Sequence, residues 1–237
     1  MVARTPASYA ATAARRRANR GAAAIVGTPG SGSVGAMART PVAANQPPAE
    51  APTLAFATPR AWDAWLAEHH ASSRGLWLKL AKKASGTASV TYPEALTVAL
   101  TWGWIDGQKR ALDDTHWLQK FTPRKPKSLW SKINRDKALA LIASGAMKPA
   151  GLAEVERAQA DGRWDAAYAG SKTITVPDDL AAALAANKRA AAFFATVDAA
   201  NRFAVLFRVH TAKKAETRAR RIAQFVAMLA RGETLHP

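Results

Sequence analysis

The sequence predicts an α+β fold, in which a small antiparallel β-sheet packs with helices and a mainly helical C-terminal region follows. Three observations support this prediction. Residues 76–80 alternate leucines with other side chains, which is the period of a strand. The stretches 109–112 and 117–121 flank a polar three-residue turn, a pattern typical of a β-hairpin. After residue 128, apolar side chains recur at helical spacing.

Capping signals mark the helices of the first region. Thr58 followed by Pro59 predicts a helix start, and that helix should end near His70. Thr91, with Glu94 three residues later, is typical of a capping box at the start of a second helix.

The helical region is predicted to begin at Ser128, which we expect to cap its first helix, and to end at Gly232. We expect six helices, over residues 129–143, 150–161, 178–186, 188–196, 200–210 and 213–231.

The chain divides into four predicted segments. Residues 1–52 contain no Leu, Phe or Trp, and we expect a disordered basic tail there because they cannot bury enough apolar surface to offset their ordering entropy. Residues 53–146 form the α+β region, residues 147–232 form a helical region of the same unit, and residues 233–237 form a tail.

The protein is strongly basic. It has 34 Lys and Arg against 17 Asp and Glu, for a formal net charge of +17, of which +5 lies in residues 1–52 and +12 in the rest. This excess indicates anionic partners, which are nucleic acid, phosphorylated ligands or an anionic membrane, and charge alone does not choose among them. The partner we expect is an anionic small molecule or an acidic partner, with weak nucleic-acid binding left open. The absence of cysteine excludes disulfides, thiolate metal sites and a cysteine nucleophile.

A basic loop is the first candidate site. Residues Arg124-Lys125-Pro126-Lys127 lead into the predicted helix at Ser128, where free N–H groups and three cations could hold an anion. The alternative is a solvated loop whose cations pair with surface carboxylates.

Asp106 is the second candidate, because it lies between apolar and small residues and could be a partly buried carboxylate. Such a group needs a partner, which Arg110 or Arg124 could supply. The alternative is a turn Asp that bonds nearby backbone N–H groups. Together these features predict a ligand-binding groove between the sheet and the helix at Ser128, lined by Trp104, Asp106, Arg110, Arg124, Lys127, Ser128, Trp130 and Asn134.

We expect no metal and no cofactor. Asp113, Asp114 and His116 fall in or beside a tight turn, where Asp is favoured without a metal. No phosphate-binding or dinucleotide glycine motif is evident, and no catalytic residue is assigned. The sequence also has no apolar run long enough for a secretory signal or a transmembrane segment, so we expect a cytoplasmic protein.

Several short motifs together resemble the YdeI/OmpD-associated family of bacteriocin-protection-like proteins, over about residues 56–232. The motifs are Gly75-Leu-Trp-Leu-Lys-Leu80, Thr91-Tyr-Pro-Glu-Ala95, Gly103-Trp-Ile-Asp-Gly107, Phe121-Thr-Pro-Arg124, Ser128-Leu-Trp-Ser-Lys-Ile-Asn134, Met147 to Gly151, Gly162-Arg-Trp164, Thr217-Arg218 and Arg221-Ile222. The resemblance implies a role in stress or antimicrobial tolerance, and it implies no established reaction.

Three functions stay open at this point. The first is a non-enzymatic protein that binds a small anionic ligand or an acidic partner. The second is a non-specific nucleic-acid-binding protein, for which interleaved basic and aromatic residues would supply phosphate contacts and base stacking. The third is an enzyme that uses Asp106 as an acid or base. We favour the first and lean against an enzyme.

Overall fold

The structure is a computed structural model that describes residues 51–236. These residues belong to one compact unit. The prediction of a disordered tail over residues 1–52 lies, except for the last two positions, outside the described residues.

A four-stranded sheet forms the centre of the first half of the unit. Its strands are β1 (Thr53–Ala55), β2 (Leu76–Ala81), β3 (Trp104–Ala111) and β4 (His116–Pro123), in the spatial order β1-β2-β4-β3. Strand β1 pairs parallel to β2, whereas the other pairs are antiparallel. The sheet is therefore mixed rather than antiparallel throughout. The sequence prediction missed β1, since three residues are too few to show an alternating pattern.

The β3–β4 hairpin contains an irregularity that a polar side chain compensates. The register shifts between Asp106 and Lys109, which leaves backbone carbonyls without ladder partners. Gln119 of β4 is 4% exposed, and its amide donates to the carbonyl oxygens of Gly107 at 3.0 Å and Gln108 at 3.2 Å. A buried glutamine thus satisfies the carbonyls that the bulge frees.

Four helices pack with the sheet: α1 (Pro59–His69), α2 (Tyr92–Thr101), α3 (Lys132–Ala143) and α4 (Pro149–Ala160). The predicted caps of α1 and α2 are confirmed. The Thr58 hydroxyl accepts from the Ala61 N–H at 3.2 Å, and the Glu94 carboxylate accepts from the Thr91 N–H at 2.9 Å.

The predicted cap of α3 is wrong. The hydroxyl oxygen of Ser131, not Ser128, caps this helix by accepting from the Asn134 N–H at 3.1 Å. Ser128 instead accepts from the Lys125 N–H at 2.9 Å and closes a turn. Residues 128–131 do not continue the helix, because Ser131 forms a parallel bridge with Tyr168.

The first hydrophobic core lies between the sheet and helices α1 to α4. Trp62 is fully buried at its centre, and the Trp104 ring packs edge-on against it at 6.1 Å between ring centres. Trp130 and Trp164 extend the same core, with their ring centres 4.9 Å apart and their planes at 66°. Edge-to-face packing of this kind is a favoured geometry for aromatic pairs.

A second hydrophobic core is built from four further helices: α5 (Asp178–Ala185), α6 (Lys188–Thr196), α7 (Ala199–His210) and α8 (Ala215–Ala230). Leu180, Phe194, Leu206 and Phe225 lie in it. The last described residues are held to this bundle, because the side-chain oxygen of Asn201 accepts from the N–H groups of Leu235 and His236.

Candidate anion-binding cavity

Residues 128–132 lead into α3 and include its first residue, and they lie alongside the residues that follow α4. The Tyr168 N–H donates to the Trp130 carbonyl at 3.0 Å, and the Lys132 N–H donates to the Tyr168 carbonyl at 2.8 Å. We call residues 128–132 the wall segment. Because its backbone is paired on both sides of Ser131, its position does not depend on side-chain packing alone.

Arg163, in the turn after α4, holds the wall segment in place through a hydrogen bond to its backbone. Its Nε donates to both carboxylate oxygens of Asp161, at 2.8 and 2.7 Å, and its Nη1 donates to the Ser128 carbonyl at 2.6 Å. The side chain is 6% exposed. Its Nη2 is buried and has no hydrogen-bond partner within the described part of the chain.

A cavity of about 550 Å³ opens beside the wall segment, and we call it the junction cavity. One side is formed by the first half of the unit and the other by the end of α7 and the connection to α8. The Tyr168 and Phe207 rings meet at this boundary, 4.8 Å apart and nearly perpendicular. The charged and polar side chains that line the cavity are those of Lys132, Arg163, Asp165, Tyr168, Thr173, Thr175, His210, Thr211 and Lys213.

The charge of the junction cavity is mainly positive. Lys132, Arg163 and Lys213 supply three permanent cations, and Asp165 is the one carboxylate among the lining residues. Hydrogen bonds from Arg163 hold the pKa of Asp161 below its ordinary value, and the charge of Lys213 lowers it further. Arg163 and Lys213, which come from different parts of the chain, therefore both lie near the same carboxylate.

His210 lies at the edge of the junction cavity. It is exposed, and its Nε2 lies 2.9 Å from the Thr175 carbonyl oxygen, so that nitrogen must carry the proton in the hydrogen bond.

A second arginine supports the wall segment from inside the first core. Arg124 follows β4, is 5% exposed, and places its guanidinium 3.4 Å from the centre of the Trp130 ring. Its Nη1 donates to the Leu129 carbonyl at 3.2 Å. Burial lowers the pKa of Arg124 to about 10, although the charges of Glu154 and Asp106 oppose this effect. Its Nε and Nη2 have no partners among the described residues.

Asp106 finds a partner that the sequence analysis did not consider. Its Oδ2 accepts a hydrogen bond from the Tyr92 hydroxyl at 2.8 Å. Burial raises the pKa of Tyr92, and the negative charge of Asp106 raises it further. Of the two arginines proposed as partners, Arg124 lies near enough for the charge of Asp106 to raise the pKa of the guanidinium.

The eight residues predicted to line one groove occupy different environments. Arg124, Trp130 and Asp106 lie near one another. The Trp104 ring is buried against α1, where its Nε1 donates to the His70 carbonyl at 3.2 Å. The Arg110 guanidinium lies 4.5 Å from the centre of the Trp77 ring.

The remaining members of the predicted set belong to the connection and to α3. Lys127 is exposed, Ser128 closes a turn at one end of the wall segment, and Asn134 is buried in α3. Because the rings of Trp104 and Trp130 are both buried, the eight side chains do not line a single open groove.

The residues of the junction cavity were visible in the sequence, but their grouping was not. Arg163 lies in the turn after α4, which it holds through Asp161, and Lys213 lies just before α8. The cations come from positions 132, 163 and 213, so no local sequence motif indicates that they line one cavity.

Three further observations concern residues 51–236 alone. No group of three or more His, Asp or Glu side chains among them is placed to hold a metal ion. Asp113 accepts from the N–H groups of Thr115 and His116, which confirms the turn interpretation of that segment. None of the helices in this range is long and apolar enough to cross a membrane.

The structure is thus that of an α+β protein with two hydrophobic cores, and the basic cavity lies where the two cores meet. Comparison with protein families then identifies the helical part: residues 173–232 match the family described as Bacteriocin-protection, YdeI or OmpD-Associated. The resemblance stated from the sequence motifs is confirmed for this region. It covers less of the chain than the expected residues 56–232.

Residues 54–154, which contain most of the motifs that suggested the resemblance, match a different family model, a domain of unknown function (DUF8412). No curated protein and no solved structure matches the chain. The family description supports a bacteriocin-protection-associated role at the level of the family.

Proposed function

We propose that the protein binds a small anionic ligand in the junction cavity and that this binding serves a role in stress or antimicrobial tolerance. The observation that carries the proposal is Arg163, a nearly buried guanidinium on the cavity wall with one nitrogen unpartnered in the described part of the chain. This cavity replaces the groove expected from the sequence as our preferred site.

The chemistry of the lining fits an anion. A buried donor without a partner costs about 1–3 kcal/mol, and a charge-assisted hydrogen bond from a ligand would remove that cost. Lys132 and Lys213 add positive charge to the same lining. A volume of about 550 Å³ falls within the usual range of small-molecule sites.

The charge of the protein disfavours a direct route to bacteriocin tolerance. Residues 53–237 carry a formal charge of +12, which would repel cationic antimicrobial peptides. Protection through an anionic ligand or an acidic partner fits this charge better than sequestration of a cationic peptide. The cytoplasmic location expected from the sequence stays a prediction.

Calorimetric titration of the full chain with inorganic phosphate tests the proposal. We expect saturable binding that Lys213→Gln weakens about five-fold, which corresponds to about 1 kcal/mol. Lys214→Gln is the matched control, because Lys214 is also exposed and adjacent but does not line the cavity. Equal effects of the two substitutions would show that phosphate responds to general charge and would overturn this site.

One observation supports a nucleic-acid-binding function. On the sheet, Arg110 and Lys120 both lie over the Trp77 ring, at 4.5 and 5.4 Å from its centre, which combines cations with an aromatic surface. However, Trp77 is only 7% exposed, so base stacking would require these cations to move.

Salt dependence tests the nucleic-acid alternative. Binding of a generic single-stranded oligonucleotide should weaken steeply with salt, and Lys120→Gln should reduce the slope by about one ion. Lys188→Gln, at the exposed start of α6, serves as the control. A flat salt response would exclude this function.

An enzymatic function would rest on the Tyr92–Asp106 pair. The pair is half-buried, and neither residue lines the junction cavity. A metabolite panel screened by thermal shift with the wild type and Asp106→Asn is its test, because a substrate that contacts Asp106 would stabilise the two proteins differently. Equal shifts for every compound would exclude a role for Asp106 in binding.

A further inference from the structure

We infer that the ligand of the junction cavity is a phosphate monoester whose carbon skeleton carries hydroxyl groups. This inference rests on the proposed function and names the chemical class of its ligand. It depends on two features of the lining: where the cations come from, and a carboxylate among them that makes no ion pair with another residue in the range 51–236.

The cations match a phosphate better than a carboxylate. Lys132 is the first residue of α3, Arg163 lies in the turn after α4, and Lys213 precedes α8. Three cations from three elements match the three unesterified oxygens and the double charge of a phosphate ester, whereas a carboxylate offers two oxygens and one charge. Arg163 would contact the phosphate through Nη2 alone, because its Nε and Nη1 donate to Asp161 and Ser128, and the lysines would act as point charges.

Arg163 and Lys213 define where the phosphate would sit. Both line the cavity, whereas Asp161 is not among its lining residues. Asp161 already accepts from the Nε of Arg163, which leaves Nη2 without a partner in the described part of the chain. We therefore place the phosphate at Nη2, with Lys213 as a second cation of the same lining.

Asp165 would contact a part of the ligand other than its phosphate. Its carboxylate is exposed, lines the cavity, and makes no ion pair with another described residue. An ionised carboxylate only accepts hydrogen bonds, and it would repel a phosphate placed against it. A ligand that puts hydroxyl donors near Asp165 and its phosphate near Arg163 satisfies both groups.

The threonines at the cavity support the same assignment. The Thr173 hydroxyl reaches the Gly170 carbonyl only at 3.4 Å, so its hydrogen-bonding capacity is poorly used. The Thr175 carbonyl already accepts from His210. Besides the cations, the lining thus contains the Asp165 carboxylate as an acceptor and a hydroxyl that can act as donor or acceptor, which suits a polyol.

Titration calorimetry of the full chain tests the inference with four probes: glucose 6-phosphate, adenosine 5′-monophosphate, inorganic phosphate and glucose. We expect at least one of the two esters to bind about ten-fold more tightly than inorganic phosphate, which corresponds to about 1.4 kcal/mol, and glucose not to bind. Tighter binding of the sugar phosphate would identify a sugar source for the ester, and tighter binding of the nucleotide would identify a nucleotide source.

Two substitutions make the test specific. Asp165→Asn should reduce the advantage of the better ester over inorganic phosphate to within about two-fold, because an amide is a weaker acceptor for hydroxyl groups and the repulsion of phosphate is removed. Asp114→Asn, at an exposed position in the β3–β4 turn outside the cavity, should leave that advantage unchanged.

The two levels of the hypothesis fail in different ways. If inorganic phosphate and both esters bind equally well and Lys213→Gln weakens their binding, the ester inference is overturned but the proposed anion site is supported. No binding of any anionic probe would overturn the proposed function as well.

Discussion

Arg163 and Ser128, 35 residues apart in the sequence, are joined by a hydrogen bond of 2.6 Å from Nη1 to the backbone carbonyl. This bond fastens the turn after α4 to the segment before α3, and it thereby fixes one side of the junction cavity. Arg163 thus has a structural role through two of its nitrogens, and the third is the donor that the proposed anion would contact.

Arg163→Lys is expected to destabilise the protein by about 1–3 kcal/mol, which is the cost of leaving a buried hydrogen-bonding group unsatisfied. A lysine cannot reach the Ser128 carbonyl and the Asp161 carboxylate together with the same fork geometry. Urea unfolding followed by circular dichroism measures the loss. Arg189→Lys, at an exposed position in α6, should change stability little, and a similar loss there would contradict the prediction.

Two neighbouring serines should respond differently to alanine. Ser131→Ala removes the cap of α3 and should cost about 0.5–2 kcal/mol. Ser128→Ala removes only a turn contact with the Lys125 N–H and should cost clearly less. Thermal unfolding of the two variants makes the comparison, and a greater loss for Ser128→Ala would restore the helix start expected from the sequence.

Glu154 should make stability depend on pH. Burial raises the pKa of Glu154 above its ordinary value of 4.5, although nearby Arg157 opposes the shift. The folded protein therefore binds this proton more tightly than the unfolded chain, and the contribution of Glu154 to stability falls as pH rises above 4.5 through the raised pKa.

Glu154→Gln removes this titration. The stability of Glu154→Gln relative to the wild type should therefore increase from pH 4 to pH 7, as measured by urea unfolding at each pH. Glu156→Gln, an exposed change on the same helix, is the control. A relative stability that stays level across this range would refute the assignment to Glu154.

The Tyr92–Asp106 hydrogen bond should appear in a double-mutant cycle. Tyr92→Phe should cost about 1.5–3 kcal/mol in the wild type, as expected for a bond to a charged acceptor. In the Asp106→Asn background the same change should cost less, because the charge is gone. Identical costs in both backgrounds would mean that the hydroxyl and the carboxylate do not interact in solution.

Local patterns in the sequence were sufficient for most of the fold. The caps at Thr58 and Thr91 and the hairpin around Asp113 depend on residues within four positions of one another, and all are present in the structure. The start of α3 was misplaced because Ser128 and Ser131 are both good caps. The choice between them is made by Tyr168, which pairs with Ser131.

The site depended on information that the sequence does not display. The aromatic and basic cluster around Arg124 was a candidate site because its members are close in sequence. In the structure, Arg124, Trp130 and Asn134 are buried. The cations of the junction cavity are distributed over Lys132, Arg163 and Lys213, and only the folded chain brings them to one place.

The two cores differ in the chromophores they contain. All eight tryptophans lie between positions 62 and 164, so the bundle built from α5 to α8 has none. Indole emission therefore follows the melting of the first core alone, whereas the far-ultraviolet signal includes both. Separate melting of the cores would split these two curves, and a molecule held at their junction would bring the curves back together.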